Sequence, residues 1–332
     1  MRLLTASRMR SFRDCARLHH LRYVEGWRPV REGEPLWFGS AFHEGLAAWW
    51  TAQSLGDSDG ALAAALLSPA FLSMDPFDRI RVEELLRGFD AAWREEARRY
   101  EVLGVEVPFE ASLLNPATWR ASATWRLAGK IDALLRDRET GRVLVAEWKT
   151  TSESIEDPAA SYWTRLQMDA QISAYVIGAE ALGHQVQEIL YGVAQRPGQR
   201  PLLATPPESR KYRKDGALYA GQREVDETPE ECRARIRTAI AENPARHFQR
   251  RVIPRTESQI RDFLADAWMQ ARAMRESERL GLAPRNPDAC NRFGQCAFWP
   301  ACSSGLGPGE FPAQFERHED VNPELRTEEV QR

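Results

Sequence analysis

The amino-acid sequence predicts a mixed α/β (α+β) fold: a central mixed β-sheet flanked by helices, with a helical N-terminal part and a cysteine-tethered C-terminus. Three observations point there. Apolar residues recur at helical spacing through the first hundred positions, alternate in the manner of strands from about 105 to 147, and then return to a helix followed by a further strand.

Taken in order, Ser7 is placed to cap a helix over 7–23, and a second helix over 39–55 carries Phe42, Leu46, Trp49 and Trp50 on one side. A long amphipathic helix over 77–100 buries Ile80, Leu85, Phe89 and Trp93. Strands over 105–114, 119–127, 127–135 and 142–147, the last two flanking a turn at Glu139, Thr140 and Gly141, form an antiparallel meander. A helix over 162–182 precedes a strand over 186–194. Positions 196–228, rich in proline, glycine and charge, read as a long loop or irregular hairpin lying over a groove. Helices over 229–242 and 256–280 follow. The expected organisation is one domain over 1–315, with a mainly helical part (1–101), a sheet core (102–200), a loop-and-helix part (201–283) and a cysteine segment (284–305). A charged, flexible tail over 316–332 completes it.

Bulk composition narrows the function. With 332 residues, 43% of them hydrophobic, the chain can bury a sizeable core. A net charge of -3 argues against nucleic-acid binding by the whole surface, so any such site must be local. Basic residues do cluster, at Arg196, Arg200, Arg210, Lys211, Arg213 and Lys214, and again at Arg246, Arg250, Arg251 and Arg255, as solvated charges or as phosphate contacts. No membrane-length apolar run occurs, and positions 1–13 are arginine-rich without a leader pattern, so a soluble cytoplasmic protein is expected.

The chemistry concentrates in Gly129-Lys-Ile-Asp132 and Glu147-Trp-Lys149. Residues two apart on a strand share a face, so Glu147 and Lys149 project together and Asp132 joins them from the neighbouring strand. Carboxylate oxygens suit Mg²⁺ or Mn²⁺, which polarises a phosphodiester and acidifies water, while a lysine orients the attacking water. A lone E-x-K is weak, because such triplets arise by chance and form ordinary surface pairs; the preceding aspartate strengthens it.

With these residues the chain resembles the PD-(D/E)XK nuclease superfamily, in particular its RecB-like branch. Gly129 to Asp132 followed by Glu147 to Lys149, His43 on an early helix after Gly39, and Gln171-x-x-x-Tyr175 after the sheet match that branch in order. The resemblance implies a restriction-endonuclease-like core. Asp132, Glu147 and the Trp148 carbonyl would bind the metal, His43 would complete its shell, and Lys149 would assist the water. Gln171 and Tyr175 would contact DNA. The pattern's early acid is Glu106 or Glu110, with Glu106 favoured.

Cys290, Cys296 and Cys302 stand five residues apart, and Cys15 near the start offers a fourth soft ligand; Cys232 lies apart. An odd cysteine count argues against a disulfide framework, and the absence of a C-x₂₋₄-C knuckle favours an iron-sulfur cluster over zinc. Iron-sulfur members of the RecB-like branch, several phage-encoded ones included, look similar, so a structural [4Fe-4S] cluster held by Cys15, Cys290, Cys296 and Cys302 is implied. The first C-terminal gap departs from many relatives, which have two residues there. The resulting expectation is a metal-dependent deoxyribonuclease, an exonuclease acting on single-stranded DNA or DNA ends in repair, recombination or phage replication. The alternative is a nuclease-like subunit that binds nucleic acid without cutting. No Walker A motif is present, so a separate helicase or recombination protein would supply any unwinding.

Overall fold

The computed structural model describes residues 1–325 except 32, 73 and 293. Its strands are β1 (Arg2–Leu4), β2 (Trp27–Pro29), β3 (Tyr100–Leu114), β4 (Ala121–Asp137), β5 (Val143–Thr151), β6 (Glu188–Gln195), β7 (Phe248–Pro254) and β8 (Phe315–Arg317). All but β2 and β8, which pair with each other, join one mixed sheet, to which β1 and β7 add strands that the alternation does not predict.

β4 organises that sheet. On one side β3 runs antiparallel along nearly its whole length. The other side is shared, with β1 parallel to Trp125–Leu127 and β5 antiparallel to Ala133–Arg136. Beyond β5 come β6, parallel, and β7, antiparallel. Ladder pairing between β4 and β5 ends at Ala133 opposite Ala146, so one residue further on, at Asp132 and Glu147, the two strands part.

Alternate side chains feed two cores. Val145, Ile189, Tyr191 and Val193 face a layer containing the helices Ala170–Ala181 and Glu257–Leu280, whereas Ala146, Trp148, Leu190 and Ala194 face the helices Glu34–Ser54, Pro76–Ala97 and Pro229–Glu242. Burial on both faces is what makes the middle of β5 and β6 read as apolar runs, broken within β5 by the site residues Glu147 and Lys149. Among the described residues no helix is long and apolar enough to cross a membrane.

Several local expectations give way to the structure. The helix expected over 7–23 is capped by Thr5, whose hydroxyl accepts from the Arg8 amide, and it breaks at Cys15, which is extended (φ -162°, ψ 120°). Short helical turns at Ala16–His19 and His20–Val24 follow the break. The helix expected over 162–182 is also interrupted, because Asp169 turns extended and caps Ala170–Ala181 by accepting from the Gln171 and Ile172 amides. The two strands expected over 119–135 are one 17-residue strand, since β3 pairs across the supposed break. The tail expected from 316 is anchored at its start: β8 pairs with β2, and Glu324 accepts from the Thr5 and Tyr23 hydroxyls. The remainder of that expectation, 326–332, lies outside the described residues.

Of the second basic stretch, Arg250 and Arg251 lie on β7, Arg255 follows it, and Arg246 lies in the helical turn Pro244–His247 before it. Arg250 is nearly buried over the Trp93 ring and paired with Glu96, Arg251 lies over Trp163, and Arg255 is buried with Nη2 donating to the Leu166 and Asp169 carbonyls. These three guanidinium groups serve as packing elements of the fold.

Candidate active site

The parting of β4 and β5 leaves unpaired backbone groups in the sheet, and a side chain fills the gap. Asp132 Oδ2 accepts the Trp148 amide at 2.9 Å, a bond the backbone ladder would otherwise have made. The same oxygen lies 3.4 Å from His43 Nδ1. His43 sits on the helix Glu34–Ser54, which packs on the opposite face, and the opening between the strands is what lets it meet Asp132.

Glu147 and Lys149 follow the expected alternation. Glu147 is 1% exposed and its carboxylate contacts the Lys149 ammonium, which keeps 31% of its side-chain surface in water. Neither Glu147 oxygen has a hydrogen-bond partner of good geometry. Burial first, and the Asp132 carboxylate second, push the Glu147 carboxyl well above the usual range. Burial opposes the charge on Lys149, yet Glu147 and Asp132 together hold its ammonium above the ordinary value. His43 is lowered, chiefly by burial and against the pull of Asp132, and is therefore neutral at pH 7 with a lone pair to offer.

Glu106 enters from β3. It falls between the pairs Val105 with Ala133 and Val107 with Ile131, which sets it opposite Asp132, and its backbone is left-handed (φ 51°), a conformation that is uncommon for a non-glycine residue. Its carboxylate meets Lys130, and burial followed by Asp132 raises its pKa. Glu110, the other candidate, faces the more exposed Arg126 at 2.8 Å, away from this group. Lys130 was not anticipated from sequence. Its position two before Asp132 on a strand was the available signal, but its Glu106 partner depends on register across β3 and β4.

The helix Ala170–Ala181 locks the floor. Tyr175 is buried, its hydroxyl donates to the Lys130 carbonyl at 2.6 Å, and Gln171 Nε2 donates to that hydroxyl at 2.7 Å. The two residues expected to reach DNA are thus joined to each other and to β4. Gly129 explains itself here: a β-carbon at that position would come within 2.6 Å of the Phe109 ring and 3.2 Å of Tyr175. Only glycine lets helix and strand approach this closely.

At the other end, Cys15 comes to the C-terminal segment. Its sulfur accepts from the Asn286 amide at 3.4 Å, and Asn286 Nδ2 donates to the Asp14 carbonyl at 2.8 Å. Cys290, Cys302 and Cys15 are near enough for their charges to be felt at the Cys296 thiol, which burial chiefly raises, against a hydrogen bond from the Phe298 backbone and with a further push from these three neighbours. Cys232 is buried elsewhere. Among the described residues no three His, Cys, Asp or Glu side chains are arranged to hold a metal ion as they stand. In the acidic group the reason is visible: Lys149 and Lys130 lie against the carboxylates a metal would need.

The donors nonetheless suit a hard cation. Asp132 has His43 at 3.4 Å, Glu106 opposite it on β3 and the Glu147 carboxylate close enough to be felt, and both buried oxygens of Glu147 are poorly satisfied. A family model described as the PD-(D/E)XK nuclease superfamily matches residues 3–303. No curated protein matches the sequence.

Proposed function

Since the chain belongs to the PD-(D/E)XK nuclease superfamily, a metal-dependent nuclease by family, we propose that it is an exonuclease acting on single-stranded DNA or DNA ends. The observation that carries this reading is the meeting of Asp132, Glu147 and Lys149 where β4 and β5 separate. Asp132, Glu147 and the Trp148 carbonyl would hold Mg²⁺ or Mn²⁺, with His43 and Glu106 completing the set. Such an ion supplies Lewis acidity toward the phosphodiester and lowers the pKa of water.

The remaining work belongs to the protein. Lys149, charged and partly exposed, donates to the attacking water and offsets the negative charge that builds on the phosphate. The Asp132 bond to the Trp148 amide fixes the spacing between the two acid-bearing strands. The Gln171, Tyr175 and Lys130 chain holds β4 against the helix; Gln171, less buried than Tyr175, is the member of the pair available to a DNA strand.

For Cys15, Cys290, Cys296 and Cys302 we keep the reading of a structural [4Fe-4S] cluster, with zinc as the alternative. Cys15 lying beside Asn286 supports it, because a tie there joins the two ends of the chain. Iron and sulfide content of anaerobically purified protein separates the two metals. The setting proposed is repair, recombination or phage replication, with a separate helicase or recombination protein supplying unwinding.

The nuclease reading is tested on end-labelled single- and double-stranded DNA with Mg²⁺ or Mn²⁺. Progressive release of nucleotides from one end of single strands is expected. Protein that binds every substrate and cuts none would establish the non-cleaving alternative instead.

A further inference from the structure

Residues 200–227 leave the sheet beside the candidate active site and return as a stalk with an exposed tip. The departure point is fixed: the Arg196 amide donates to the Thr151 carbonyl at 2.8 Å, two residues beyond Lys149, and the Arg81 guanidinium donates twice to the Pro197 carbonyl. Arg200 pairs with Glu34, the first residue of the helix that carries His43. Higher up, the Leu202 amide donates to Glu227, the Ala204 amide to Asp226, and the Thr205 amide to the Arg223 carbonyl. Two of the stalk's carboxylates, Asp226 and Glu227, are consumed in building it, and Glu208 and Glu224 are exposed.

The tip differs in character. Arg213 N donates to the Ala217 carbonyl at 2.7 Å and Tyr219 N to the Lys211 carbonyl at 3.0 Å, which makes Tyr212 and Leu218 a non-hydrogen-bonded antiparallel pair. Side chains alternate across such a ribbon, so Tyr212 and Leu218 share one face, while Lys211, Arg213 and Tyr219 share the other. Tyr219 is 53% exposed on the cationic face, and Tyr212 is 51% exposed on the other. Lys211, Arg213 and Lys214 at the turn are exposed and in no salt bridge among the described residues, and the turn's one acid, Asp215, accepts the Ala217 amide. The tip thus presents an exposed phenol ring on the same face as two exposed cations, a combination that suits a ligand both flat and anionic.

We propose that this ribbon, residues 211–219, is an arm that grips single-stranded nucleic acid, with a base stacked on Tyr219 and neighbouring phosphates against Lys211 and Arg213. The inference rests on the nuclease reading only for the direction of feed, since the stalk is rooted beside Lys149. Stacking needs a base free of its own stack, so a single strand fits and a duplex does not.

The test is fluorescence anisotropy of a labelled oligothymidylate with the full-length protein in EDTA, where no cleavage occurs, across a salt series. Tyr219→Ala is expected to weaken binding on the order of tenfold. The double substitution Lys211→Ala, Arg213→Ala is expected to flatten the salt dependence by about 0.7 in log-log slope for each phosphate that is no longer neutralised. Tyr212→Ala, on the opposite face, should leave affinity unchanged, and thermal melting should match wild type throughout. Unchanged affinity and slope in both arm variants, or equal loss for a duplex of the same length, would overturn the proposal. Those outcomes leave the nuclease reading standing if wild type still cuts; wild type that never cuts yet needs Tyr219 to bind would overturn the nuclease reading and keep the arm.

Discussion

Asp132 Oδ2 accepts the Trp148 amide at 2.9 Å across the point where β4 and β5 stop pairing. The side chain therefore has two separable roles, as a backbone surrogate in the sheet and as a site carboxylate. Asp132→Ala should cost about 1–3 kcal/mol of stability by stranding a buried amide, and Asp132→Asn, which keeps an acceptor, much less. Both should lose most nuclease activity. Denaturant unfolding beside a cleavage assay separates the two roles; equal stability of the two variants would show that the bond carries no weight.

Glu147 is buried with the Lys149 ammonium as its contact. Lys149→Ala leaves that carboxylate uncompensated, and because Lys149 keeps some solvent the expected loss is about 1–3 kcal/mol, below the full value for a buried pair. Removing the competing ammonium also clears the acids for a cation. Mn²⁺ should therefore raise the melting temperature of Lys149→Ala more than that of wild type, while activity stays low. A smaller shift in the variant would mean that the acids do not bind the ion.

Gly129→Ala places a methyl within 2.6 Å of the Phe109 ring, which is also close-packed against Gly178. Overpacking of this kind costs about 1–3 kcal/mol, and it should also disturb the Tyr175 bond to Lys130. Melting temperature and cleavage rate should fall together, whereas Gly141→Ala, at a turn with open space but a positive φ of 72°, should lower the melting temperature and change the rate little.

His19 is buried, accepts from Arg8 Nε, and has its pKa pushed down to about 3, by burial first and by Arg8 next. Between about pH 6.5 and 3 the unfolded chain binds a proton there that the folded chain does not. Stability is therefore full above pH 6.5 and declines as the solution is acidified through that window. Urea unfolding at pH 7 and pH 5 should show the decline in wild type and a smaller one in His19→Gln.

The strand acids were legible because period-two alternation survives any detail of packing: Asp132, Glu147 and Lys149 meet as their spacing implies. What depended on register or tertiary burial was not. Lys130 pairs with Glu106 only through the alignment of β3 on β4. β7 was concealed because Arg250 and Arg251 lie on Trp93 and Trp163, turning charged residues into packing. The break at Cys15 has no glycine or proline to announce it. Tyr175 was assigned its helix correctly, but nothing in the Gln171-to-Tyr175 spacing told that its hydroxyl would be spent on the Lys130 carbonyl.

The most direct measurement is the rate at which wild type and Asp132→Asn cut a labelled single strand as Mn²⁺ is titrated, with folding of both verified. Saturable, metal-dependent cleavage by wild type is expected, with a drop of about a hundredfold or more in the variant. Cleavage at equal rates by the two proteins, or none by metal-loaded wild type on any nucleic acid, would contradict a catalytic metal site at Asp132.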